Sequence, residues 1–107
     1  MSKLQIEFSK NWGGKLDKEI FTTIRRFSQS KFDYYFNNLG RNFETTLKGE
    51  LFGNAKLVSV GKAKIKNIGT DVLTVDTGTK SREEAMNVFD TFSLNKDSEV
   101  IVLAFSK

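Results

Sequence analysis

The chain has 107 residues, 38% of them hydrophobic and 12% aromatic, which is one globular domain long enough to form a hydrophobic core and not a disordered segment. It has no cysteine and no histidine, so disulfides, thiolate or imidazole metal sites and Ser-His or Cys-His nucleophile pairs are excluded. The net charge of +4 is uneven: residues 1–66 hold 13 Lys/Arg against 6 Asp/Glu, whereas residues 67–107 hold 4 against 7. Ten of the thirteen aromatic residues also lie within residues 1–52, and a basic, aromatic-rich portion suits a polyanionic partner.

Leu4, Ile6 and Phe8 alternate with Gln5 and Glu7, the pattern of a half-buried strand. Trp12-Gly13-Gly14 breaks it, and a short helix is expected near 15–20. Phe21–Arg26 reads as a strand ending on two arginines. Residues 28–40 are mixed in character and close on the turn signal Asn37-Asn38-Leu39-Gly40. Phe43, Thr45 and Leu47 mark one face of a further strand. Gly49-Glu50 supplies a turn, and a long strand returns from Leu51 to about Ile68, bent at Gly53 or Gly61. Val72–Asp76 reads as a short extended segment. Ser81-Arg82-Glu83-Glu84 is a capping box opening a helix over about 81–92, with Ala85, Val88, Phe89 and Phe92 on its inward stripe. Val100–Phe105 is a buried closing strand. The expected fold is α+β: a small mixed β-barrel with one well-defined flanking helix.

No apolar run reaches the roughly 20 residues of a membrane helix, and the first ten residues hold no apolar core of signal-peptide length. The expectation is a cytoplasmic protein with no membrane, metal or cofactor.

"FTTIRR" at 21–26, "FETTLKGELFGNAKLVSV" at 43–60, "DTGTKSREEAMNVFDTF" at 76–92 and "EVIVLAF" at 99–105 together resemble the ASCH domain family of the PUA-like superfamily. The resemblance implies a small β-barrel with a helix flanking a cleft, and RNA or modified-nucleoside chemistry. Thr23 and Arg25 match the last two positions of the family's cleft motif. Its lysine position falls at Ile20, so Lys18 fills that role only if a helical turn shifts it into place. Glu83 stands near the carboxylate that hydrolases of the family carry at the start of the later helix.

The leading expectation is an RNA- or nucleotide-binding module. Arg25, with Arg26 beside it, neutralises phosphate through its two-pronged donor geometry, Thr23 and Lys31 assist, and a base stacks on Tyr34 or Tyr35. Phe32 and Phe36, one helical turn apart, are expected in the core. Two alternatives stand beside this reading. One is a small ASCH-type amidohydrolase or nuclease using Lys18 as base or charge stabiliser, Thr23 as nucleophile or water-orienter and Glu83 as general acid/base. The other is a protein-binding inhibitor or adaptor. Lys62, Lys64 and Lys66 at period two form either a phosphate-tracking ridge or a solvated strand face. Asp71 and Asp76 fit local turn hydrogen bonding better than catalysis.

Overall fold

The computed structural model describes residues 4–8 and 12–107. Five strands, β1 (Gln5–Phe8), β2 (Ile20–Arg26), β3 (Asn42–Leu47), β4 (Glu50–Lys64) and β5 (Glu99–Ser106), form one mixed sheet in the order β1-β3-β4-β5-β2. β1 runs parallel to β3, and the other pairs are antiparallel. The sheet curls into a half-barrel, so β1 and β2, its two edges, approach each other across an open seam. Phe8 and Phe21 meet edge-to-face across it, with ring centroids 6.0 Å apart.

Two bulges in β4 accompany the curl. Thr45 pairs with Gly53 but Thr46 with Leu51, leaving Phe52 extra; Leu57 pairs with Phe105 but Ser59 with Ala104, leaving Val58 extra. A bulged strand bends and twists more strongly. The sequence placed the bend at Gly53 or Gly61; it falls beside the first and three residues before the second. The hairpin turn is Lys48-Gly49, not Gly49-Glu50. Both turn residues have positive φ, 53° and 82°, the geometry that matches the right-handed twist of flanking strands.

The remaining elements are 3-10 helices at Trp12–Asp17 and Ile65–Asn67 and three α-helices: α1 (Gln29–Asn37), α2 (Thr70–Thr77) and α3 (Arg82–Asp90). α1 replaces the mixed segment read from the sequence, and Ser28 caps it by accepting a hydrogen bond from the Lys31 backbone N–H. α2 replaces the short extended segment. Its β-branched run is poor helix material, but Leu73 is fully buried, and the hydroxyls of Thr74 and Thr77 bond back to the carbonyls of Thr70 and Leu73. Gly78 closes the helix at φ 69°. At α3, Ser81 caps the Glu84 N–H as expected, while the Glu84 carboxylate reaches the Lys80 N–H. The helix ends at Asp90, short of the expected 92.

The interior divides into two cores. Inside the half-barrel, Ile6, Phe8, Leu16, Phe21, Phe43, Leu57, Leu103 and Phe105 pack together, with Tyr35 of α1 and the partly buried Phe27 and Phe32 against them. Between the sheet's other face and α2 and α3 lie Ile65, Ile68, Leu73, Ala85, Phe89, Leu94 and Val100, with Ile24 beside them. No helix among the described residues is long and apolar enough to cross a membrane.

Candidate nucleotide-binding cleft

β2 separates the two cores, and a cleft of about 310 Å³ opens where it ends. Thr23–Arg26 of β2, Glu7 and Phe8 of β1, Lys31 of α1, Asp76 and Thr77 of α2, and Phe89 and Phe92 of α3 and its tail line it. The cleft is thus the seam of the half-barrel, widened where the barrel core meets the helical core.

Arg25 spans that seam. Its side chain is on the barrel side with Phe21 and Thr23, as alternation along a strand requires. Nη2 donates 2.6 Å to the Glu7 carbonyl of the opposite edge, and the guanidinium sits 5.0 Å from the Phe8 ring centroid. Nε is buried with no hydrogen-bond acceptor among the described residues. Burial pushes the Arg25 guanidinium below its ordinary pKa, against the opposing influence of Tyr35, Asp76 and Glu7. A buried donor without an acceptor costs free energy, so the position of Nε is a local strain at the seam.

Arg26 points the other way, is exposed, and donates from Nη2 to the carbonyls of Phe92 (2.9 Å) and Ser93 (3.3 Å) just after α3. It ties β2 to that turn. Lys31 is exposed in the first turn of α1, and its ammonium is in no ion pair with a described residue. Thr23 is 4% exposed and lines the cleft.

Lys18 and Glu83 are both exposed, at the bend before β2 and in the first turn of α3, and neither lines the cleft. Thr23, Lys18 and Glu83 therefore do not come together there. Tyr35 does not offer a free face for stacking: it is 8% exposed and tilted against Phe43 at 6.1 Å. Burial raises its hydroxyl pKa, with Arg25 opposing and Tyr34 adding to the shift. Tyr34 is 43% exposed, edge-on to Tyr35 and Phe43, and outside the cleft lining.

Two core expectations and the lysine row also change. Phe36 is 56% exposed, stacked at 6.0 Å on the partly buried Phe32, because α1 turns only one side toward the barrel. Phe92 is 48% exposed, since α3 stops before it and the chain leaves the helical stripe; it becomes a wall of the cleft. Of the three lysines, only Lys62 and Lys64 belong to β4, Lys66 lying in a 3-10 helix. Lys62 pairs with Glu99 at 2.9 Å and Lys66 with Asp97 at 3.3 Å, so the row is partly neutralised.

Asp76 is the cleft residue the sequence reading undervalued. It is 5% exposed on α2 and accepts 3.0 Å from the Thr22 hydroxyl on β2. The signal was Gly78: a glycine after a Leu73–Asp76/Thr77 spacing marks a helix C-terminus, which puts Asp76 and Thr77 on the face that buries Leu73. Among the described residues no three carboxylates group closely enough to hold a metal ion. Comparisons of the chain with protein-family models, with curated proteins and with solved structures found no match.

Proposed function

We propose that the chain is an RNA- or nucleotide-binding module of the ASCH, PUA-like type, acting in the cytoplasm, and that one nucleotide occupies the seam cleft. The observation that carries this reading is the Arg25 guanidinium, half-buried on the cleft lining and hydrogen-bonded to one carbonyl through Nη2. The planar fork of a guanidinium suits phosphate oxygens best. Lys31 adds a second positive charge at the mouth, and the apolar walls of Phe8, Phe89 and Phe92 suit a ring. The half-barrel with a helix beside the cleft, and Thr23 and Arg25 together on its lining, support the family reading.

Fluorescence anisotropy with a short labelled single-stranded RNA, over a series of salt concentrations, tests it. Arg25→Ala should weaken binding and make the slope of log affinity against log salt shallower by roughly 0.7, the effect of one lost phosphate contact. Lys64→Ala, exposed on β4 outside the cleft, should change neither. Equal small losses in both variants would reduce the binding to general basicity and refute a cleft.

A further inference from the structure

The chemistry of β2 is not confined to its side chains. The Phe27 N–H bonds the Glu99 carbonyl at 3.1 Å, and the Lys107 N–H bonds the Glu19 carbonyl at 2.8 Å, both in the same β2–β5 register. An antiparallel ladder alternates between residues whose N–H and C=O face the partner strand and residues whose groups face away. The register is unbroken from Ile20 to Arg26, so residues 21, 23 and 25 face β5. The main-chain groups of Thr22, Ile24 and Arg26 therefore point off the edge of the sheet. β1 mirrors this: the Leu4 and Phe8 carbonyls accept from the Glu44 and Lys48 N–H groups on the β3 side, which turns the Glu7 carbonyl outward, where it accepts from Arg25.

Much of the β2 edge is covered. The Thr22 side chain is tied to Asp76 of α2. Ile24 and Arg26 remain among the residues that line the cleft. Their edge groups form a short row: the Ile24 N–H, the Ile24 C=O, then the Arg26 N–H.

Resting on the nucleotide reading above, we infer that this row recognises the bound base: the main chain of β2 at Ile24 supplies one donor and one acceptor to the base's pairing edge. Every standard nucleobase presents a hydrogen-bond donor next to an acceptor on that edge, all in one plane. A strand edge offers the complementary alternation at similar spacing. Addition of a peptide strand needs several successive pairs, whereas the open stretch here is two outward-facing residues long. A cleft of about 310 Å³ is also near the lower bound of the roughly 300–1,000 Å³ that small ligands occupy. Arg25, on the opposite face of the same strand, is then placed to hold the phosphate while the edge holds the base.

The test uses the four ribonucleoside 5′-monophosphates and ribose 5-phosphate, titrated against the unaltered protein by calorimetry. The tightest binder is then compared with its own derivative methylated at the ring nitrogen of the pairing edge. Methylation should weaken binding about tenfold or more, because it blocks the Ile24 partner and leaves a desolvated main-chain group unpaired. Ribose 5-phosphate should bind more weakly than any of the four. Ile24→Pro gives the protein-side arm: it deletes the outward N–H without removing a ladder bond, a substitution an edge strand tolerates. It should lose affinity about tenfold while Ile24→Val retains it, circular dichroism confirming that both are folded. Monophosphates that bind the same with or without the methyl group would overturn the main-chain reading and leave the phosphate cleft standing. No binding of any monophosphate would overturn the nucleotide reading and this inference with it.

Discussion

Replacing Arg25 with methionine separates a residue that holds the fold together from one that waits for a ligand. In the structure, the guanidinium gains a hydrogen bond to the Glu7 carbonyl and a contact with the Phe8 ring. A hydrogen bond from a charged donor is worth about 1.5–3 kcal/mol, and a cation over an aromatic face about 0.5–2 kcal/mol. Against this stands the loss of hydration, the orphaned Nε–H included, several kcal/mol for a guanidinium even after relaxation. The two sides nearly cancel. Methionine keeps an unbranched stem against Phe8 and introduces no charge, and the Glu7 carbonyl stands at the open seam where water can reach it. Arg25→Met should therefore change stability by no more than about 1 kcal/mol, a shift of roughly 4–8 °C in the melting midpoint, upward as readily as downward. Its RNA affinity should nonetheless fall sharply. Thermal and urea unfolding followed by circular dichroism, with anisotropy on the same samples, reads both quantities. A loss of more than about 2 kcal/mol with RNA affinity intact would refute the reasoning and make Arg25 a structural staple across the seam.

Phe89 is 3% exposed in the helical core, so Phe89→Ala should cost ~3–5 kcal/mol in urea unfolding; a nearly unchanged midpoint would remove it from the core. Gly78 sits at φ 69° at the end of α2, so Gly78→Ala should cost about 1–2 kcal/mol, whereas a neutral result would mean that α2 ends differently. Burial raises the Tyr35 pKa above its ordinary value of about 10. The folded state thus holds that proton more tightly than the unfolded one: the stabilisation is complete below about pH 10 and is lost as pH rises through the folded value. Tyr35→Phe should flatten the alkaline fall in stability, and Arg25→Met, by removing the opposing positive charge, should push the Tyr35 titration seen in ultraviolet difference spectra still higher. An unchanged alkaline profile in Tyr35→Phe would contradict this.

The strands were legible wherever one face is buried and the other wet. Ile6 and Phe8, and Phe43 and Thr45, fall where period-two patterning puts them, while the continuous apolar run at Val100–Phe105 was legible by its length and forms a strand buried at adjacent positions. The capping box located α3 because its signal is local. α2 was hidden because Val72, Thr74 and Val75 favour extended backbone, and only the tertiary burial of Leu73 decides for a helix. With α2 went Asp76, the buried carboxylate of the cleft lining. The arginines were visible in the sequence but their division of labour was not. Alternation predicts opposite faces, yet not that Arg26 is tied to the turn after α3 while Arg25 reaches another edge of the same sheet. That depends on the curl of the sheet, and so on bulges at Phe52 and Val58 that no short-range pattern marks.

The curl also explains why the cleft lies where it does. An open sheet has two exposed edges, and a free edge invites pairing with other chains. A half-barrel brings its edges face to face without joining them, leaving a gap bounded by unpaired main-chain groups on both sides. In this chain each part of the gap has its own cover: the Phe8–Phe21 ring contact inside the barrel, the Thr22–Asp76 bond on the α2 side, and Arg25 across to Glu7. What remains is the stretch from Ile24 to Arg26, walled by apolar rings from the helical core and flanked by Arg25 and Lys31. A strand that ended on one arginine would supply either the bond across the seam or the tie to α3. Two in succession supply both, because adjacent side chains on a strand cannot share a face.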